Sequence, residues 1–211
     1  MLGDVLLIDE GHKKAGQQIL DALQGLEGEK IILAISGESG SGKSEIAHVV
    51  GRGLKERGTP AKILHVDNYY TIAPRDRKRW RLENGLENIG PDEYDWDLIR
   101  EHMSAFRRDR AEVTLPCIDL LTDQIDRLQT SFRGLKYMII EGLYALKAEA
   151  DLRILIDLTY RETKNMQRKR GKEDVNEYRW QVLEQEHQAV QSLRPLTDLL
   201  VTKDFNLKRI Q

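Results

Sequence analysis

The stretch Ile31-Ile32-Leu33-Ala34-Ile35-Ser36-Gly37-Glu38-Ser39-Gly40-Ser41-Gly42-Lys43-Ser44 decides the fold. It opens as an apolar run and closes as a turn of three glycines and three serines, and Glu45-Ile46-Ala47 beyond it begins a helical pattern. Gly37, Gly42, Lys43 and Ser44 satisfy G-x-x-x-x-G-K-[ST], set between a strand and a helix as that pattern requires. Glycines there permit φ > 0 and let consecutive backbone N–H groups converge on an anion at the positive end of the helix. Residues Gly37, Glu38, Ser39, Gly40, Ser41, Gly42, Lys43 and Ser44 are therefore the candidate phosphate cradle, with Lys43 reaching the outer phosphates and the Ser44 hydroxyl able to ligate Mg²⁺.

Working outward, short apolar runs recur at Ile63 to Val66, Tyr137 to Ile140, Leu152 to Ile156 and Leu199 to Val201. Such runs are expected of parallel strands covered by helices on both faces. Helical spacing appears in Ala47, Val50 and Leu54, stopped by Gly58-Thr59-Pro60, in Ala15 to Leu26, and in Val175 to Leu193. The alternation predicts an α/β fold with a parallel sheet flanked by helices. The stretch from Asn68 to Arg110 interrupts it, polar and rich in arginine, and is read as a loop plus a helix beginning near Asp92. Val113-Thr114-Leu115-Pro116 reads as a strand outside the main sheet, because proline is poorly tolerated in a central strand. The expected organisation is an N-terminal helical extension over 1–30 and one domain over 31–211, with an insertion at about 68–120 that overhangs the glycine loop.

Composition narrows the classes of function. With 33 basic and 35 acidic residues among 211 the formal charge is −2, which gives no overall pull toward nucleic acid or an anionic membrane. One cysteine, Cys117, excludes an internal disulfide and a cysteine-rich zinc site. The five histidines show no metal-ligand spacing. No apolar run approaches the roughly 20 residues of a membrane span, and Met1 to Glu10 lacks a basic leader. The expectation is a cytoplasmic protein, without nucleic-acid or membrane partners, that takes a small-molecule acceptor and can form a homo-oligomer.

Two acids fall at the carboxyl edges of strands, where open α/β sheets place ligands: Asp67 in "HVDNYY" and Glu141 in "YMIIEG". A carboxylate at Asp67 can accept the proton of an attacking hydroxyl and help hold Mg²⁺, and Glu141 has the setting of a Walker B acid. The metal set is thus Ser44, Asp67 and Glu141.

"GESGSGKS", "VDNYY", "GPDEYDWDLI", "LPCIDLLTDQ" and "IIEGLYAL", in this order and spacing, resemble the phosphoribulokinase/uridine kinase family, most closely its uridine kinase branch. The resemblance runs from about Ile31 to Phe205. It implies a nucleoside-monophosphate-kinase-like P-loop fold, ATP with Mg²⁺, and transfer of the γ-phosphoryl group to a hydroxyl of a small metabolite. It implies Asp67 as the catalytic acid-base group beside Lys43, Tyr69 and Tyr70 as aromatics next to the substrate, and Glu141 as the Walker B acid. It also implies a lid, at about 161–175, whose arginines close over ATP; Arg168 and Arg170 are the candidates. Uridine kinases carry a tyrosine and a histidine around the base, where this chain has Ile118 and Asp123, and an aspartate for the ribose, where Glu87 or Asn88 stands in. The departures leave the kinase activity as the expectation and weaken uridine as its acceptor.

Arg75-Asp76-Arg77-Lys78-Arg79-Trp80-Arg81 has five basic residues among seven. It reads either as guanidinium groups for an anionic acceptor, led by Arg75, or as a solvated charged turn. Two rivals stay beside a nucleoside kinase: a kinase for a sugar phosphate or hydroxy acid, and a nucleotide-binding regulatory module without transfer.

Overall fold

The structure, a computed structural model, describes residues 5–163 and 176–210. The main sheet has six strands in the order β2-β5-β1-β6-β7-β8. They are β1 (Ile31–Gly37), β2 (Ala61–His65), β5 (Tyr137–Gly142), β6 (Leu152–Ile156), β7 (Leu199–Val201) and β8 (Leu207–Arg209). The first five are parallel and β8 returns antiparallel to β7. The expected apolar runs are the five parallel strands, and the P-loop α/β reading stands.

Period-2 alternation divides β1 between two cores. Ile31, Leu33 and Ile35 pack with Ala15, Ile19, Leu20 and Leu23 and with Ile46, Ala47, Val50 and Leu54. These belong to α1 (Glu10–Ala22) with its 3-10 extension, and to α2 (Lys43–Glu56). Ile32 and Ala34 face the other way, onto Ile99, Met103 and Phe106 of α4 (Trp96–Arg107), Val190 of α5 (Glu177–Ser192) and Phe132.

Three elements differ from the sequence expectation. Helix α1 starts at Glu10 rather than Ala15, capped by Asp9, whose side chain accepts from His12 N while the His12 ring accepts from Asp9 N. A helix absent from the expectation, α3 (Pro74–Asn84), fills the arginine-rich stretch, with Pro74 in its first turn and Gly85 (φ 88°) beyond its end. The strand β3 (Val113–Asp119) does lie outside the main sheet, paired with an unexpected partner, β4 (Gln124–Thr130), in a two-stranded hairpin. Among the described residues no helix is long and apolar enough to cross a membrane.

Candidate active site

The glycine loop leaves β1, the central strand, and enters α2. Gly42 caps α2 in the left-handed region (φ 91°, ψ 17°), a conformation that strains any residue with a Cβ. A Cβ on Gly42 would also collide with His12 Nε2 from α1, so the N-terminal helix packs directly against the loop. At Gly37 a Cβ would sit 2.6 Å from Ser41 Oγ and 3.1 Å from Ile156 Cβ. Lys43 Nζ donates to the Glu38 carbonyl at 3.1 Å. Glu38 itself is buried, its carboxylate accepting from Tyr160 N (2.7 Å) and Gln191 Nε2 (2.9 Å) and meeting His187 Nδ1 at 2.7 Å. Thr163 Oγ1 donates to the Ser39 carbonyl, and Arg179 reaches Ser39 Oγ at 3.3 Å.

Strand register sets the acids beside the loop. Glu141 in β5 pairs with Ile35 of β1 on one side and with His65 of β2 on the other. Ser44 Oγ donates toward both Glu141 oxygens at 3.2 and 3.3 Å, and His65 Nδ1 lies 2.5 Å from Glu141 Oε1. Burial pushes Glu141 up, but the His65 hydrogen bond, with the charges of His65 and Lys43, outweighs it and holds the carboxyl below its usual value. Asp67 follows β2 on the 3-10 turn Val66–Tyr69. Burial, then the Glu141 carboxylate, raises Asp67, with Lys43 and Arg77 opposing. Two carboxylates and a hydroxyl near a lysine form a hard-oxygen donor set of the kind that would suit Mg²⁺. Among the described residues no group of three His, Cys, Asp or Glu side chains forms a fuller metal site.

The turn carrying Asp67 is fastened to the hairpin and to the segment before α4. Asn68 Oδ1 accepts from Ile118 N (3.0 Å), Tyr69 O accepts from Asp95 N (2.8 Å), and Tyr94 OH approaches Asp67 Oδ1 at 3.4 Å. Tyr69 is buried and hydrogen-bonded to His102 Nδ1 at 2.9 Å. Tyr70 stacks on Tyr94, ring centroids 4.1 Å apart, and the Arg77 guanidinium lies over its ring.

The structure separates the remaining candidates. Arg75 is exposed and pairs with its neighbour Asp76, and exposed Asn88 donates to the Asn84 carbonyl, so neither joins the cluster around Asp67. The arginines of α3 that turn inward are Arg77 and Arg81, the latter buried and bidentate on Glu93 at 2.6 and 2.8 Å. Ile118 is buried in β3, and Asp123 occupies the hairpin turn with φ 54°. Arg168 and Arg170, and most of the expected lid, lie outside the described residues. Sequence reasoning missed His12, His65 and His187, each against a loop or acid residue far away in the chain.

A model of the phosphoribulokinase/uridine kinase family matches residues 32–163. The chain belongs to that family. Among curated proteins, this family member is 25% identical over 189 residues to the bifunctional alpha-galactosidase/sucrose kinase of Mediterraneibacter gnavus, covering 83% of this chain and 20% of that one. It is 28% identical over 133 residues to the uridine kinase of Ureaplasma parvum, covering 60% of this chain and 62% of that one. The match therefore spans about a fifth and about three fifths of those relatives. Among solved structures, a possible uridine kinase from Bacillus stearothermophilus superposes with a TM-score of 0.65 at 18% identity, covering 89% of this chain and 97% of that one.

Proposed function

We propose that this member of the phosphoribulokinase/uridine kinase family is an ATP-dependent kinase that transfers the γ-phosphoryl group to a hydroxyl of a small metabolite. The observation that carries the reading is convergence: the glycine loop, Ser44 with Glu141, and Asp67 meet at the carboxyl edge of β1, β5 and β2. The backbone N–H groups of Gly37 to Ser44 hold the phosphates, and Lys43 balances charge on the outer ones. Ser44, Glu141 and Asp67 would hold Mg²⁺, which when bound neutralises charge shared between the β- and γ-phosphates.

Asp67 orients the acceptor hydroxyl and takes its proton as that oxygen bonds to the γ-phosphorus. The bond from phosphorus to the β–γ bridging oxygen breaks, ADP leaves, and the proton passes from Asp67 to solvent after the phosphate ester departs. A raised Asp67 suits this role, since a stronger base holds the transferred proton better. His65 fixes the Glu141 carboxylate and acts as a positioning residue. Arg168 and Arg170 are proposed to add positive charge over the transferring group.

Nucleoside kinases and a sucrose kinase both stand among the relatives, so acceptor class follows from the pocket and not from kinship. The test is ADP formation from Mg·ATP across nucleosides, sugars, sugar phosphates and hydroxy acids. Stimulation by one class supports the kinase. ATP binding with no stimulation anywhere would move the function to a nucleotide-binding regulatory module.

A further inference from the structure

The inward face of α3 carries two arginines one helical turn apart. Arg81 uses the Nε–Nη2 edge of its guanidinium to clamp the Glu93 carboxylate side-on. Arg77 lies flat on Tyr70, Cζ 3.3 Å from the ring centroid, which occupies its face and leaves its edge for hydrogen bonding. That edge is again Nε and Nη2, and in Arg77 both atoms are buried with no hydrogen-bond partner among the described residues. Two more buried polar atoms there share this condition, the Tyr144 hydroxyl and Glu186 Oε2.

The three residues belong to one cluster. The ring series Tyr70, Tyr94, Tyr144 links them at centroid spacings of 4.1 and 5.6 Å, and Glu186 Oε1 lies 3.9 Å from Arg81 Nη1. Tyr94 in turn touches Asp67. Buried donors and acceptors are nearly always paired, so several unpaired ones gathered in one cluster point to a ligand that pairs them. The charges say which kind. Glu93 is bound by Arg81, and Glu186 by Arg179 at 3.3 Å, whereas Arg77 has no carboxylate within ion-pair distance among the described residues.

Resting on the kinase reading, we propose that the acceptor is a small hydroxylated oxyanion whose carboxylate or phosphate is taken side-on by the Nε–Nη2 edge of Arg77. A hydroxyl not undergoing transfer donates to Glu186 Oε2 and accepts from Tyr144, while the reacting hydroxyl faces Asp67. A neutral nucleoside leaves the Arg77 edge unpaired and is rejected on that account. Arg77 lies on Tyr70, Tyr70 stacks on Tyr94, and Tyr94 OH approaches Asp67 Oδ1 at 3.4 Å, so the two ends of such a ligand fall in one contiguous cluster.

The experiment is calorimetric binding of matched pairs, sugar phosphates against the parent sugars and hydroxy acids against the parent polyols. It is run with a non-hydrolysable ATP analogue on wild type, Arg77→Gln, Arg77→Lys and Asp67→Asn. The expected result is binding of an anionic member only, weakened about tenfold or more in Arg77→Gln, as for loss of hydrogen bonds to a charged group, with affinity for the ATP analogue held. Arg77→Lys should recover a phosphate ligand better than a carboxylate, because lysine offers a point charge and no fork. Equal binding of the neutral partners, no binding of any member, or unchanged affinity in both Arg77 variants would overturn the proposal. So would a parallel loss of the ATP analogue in Arg77→Gln, which would assign the edge to nucleotide phosphate. Anion binding to wild type and Asp67→Asn in this assay, with no phosphorylation of that ligand by wild type once Mg·ATP replaces the analogue, leaves this pocket standing and removes the kinase reading.

Discussion

Replacing Glu93 with glutamine strips the charge that holds α3 against the turn Pro91–Glu93. Arg81 is 6% exposed and Glu93 3%, and the two are joined by parallel bonds of 2.6 and 2.8 Å. At that depth the guanidinium cannot recruit bulk water, and breaking one side of a buried pair costs about 3–5 kcal/mol. Glu186, 3.9 Å from Arg81 Nη1, takes up part of the charge and sets the expectation near the lower bound. At about 3 kcal/mol, and about 2–4 °C per kcal/mol for a chain of this length, the melting temperature should fall by about 6–12 °C. Scanning calorimetry of wild type, Glu93→Gln, Arg81→Met and the double variant measures this. The double variant leaves no uncompensated buried ion and should be less destabilised than the sum of the singles, with coupling of up to about 3 kcal/mol. Single losses below about 1 kcal/mol, the scale of a surface pair, or strict additivity would refute the claim that this pair anchors α3.

Three further outcomes follow from particular contacts. Gly42→Ala should weaken ATP binding in a fluorescent-analogue titration, and adding His12→Ala should restore only part of it, because the collision goes but the φ of 91° remains; wild-type affinity in the single variant would contradict the packing. His65→Ala frees the Glu141 carboxylate and should raise the Mg²⁺ concentration for half-maximal transfer about 10–100-fold, with ATP affinity in excess Mg²⁺ unchanged; an unaltered Mg²⁺ titration would remove the positioning role. Glu162 is held down to about 2 by the Lys203 ion pair and by Thr159 N–H. Its stabilisation is therefore present above the ordinary glutamate value of 4.5 and is lost as pH falls through about 2. Glu162→Gln should lower the melting temperature slightly at neutral pH, as for a largely exposed pair, with the difference from wild type closing in acid; a gap that widens in acid would contradict it.

The parallel strands and the glycine loop were legible because their signals are local: continuous apolar runs, and glycines spaced before a lysine. Helix α3 was not, since its inward face is built from Arg77 and Arg81 and its outward face is also charged. An apolar periodicity cannot show a helix whose inner side is arginine, Arg81 paired with Glu93 and Arg77 laid on the Tyr70 ring, with both partners brought from elsewhere. Pro74 followed by Gly85 was the readable trace of its ends. Strand β4 is exposed along nearly its whole length and offered no alternation against a core. The start of α1 was missed because its cap pairs Asp9 with a histidine rather than the usual glutamate or glutamine. Histidines looked inert in sequence because His65, His102 and His187 acquire their partners across 33 to 149 residues of chain. Reading five basic residues as one patch also concealed a division of labour, for Arg75 turns to solvent while Arg77 and Arg81 turn to the site.

The central claim is that Asp67 serves proton transfer while the glycine loop serves binding. Its most direct test measures both on the same Asp67→Asn protein: ATP affinity by titration, and acceptor-dependent ADP formation with the best acceptor of the panel. The account predicts transfer reduced by about 10²–10⁴-fold, the span of general-base catalysis, with ATP affinity held within about twofold, far inside a 1.4 kcal/mol change. Transfer that survives the substitution, or an equal loss of transfer and ATP binding, would contradict it.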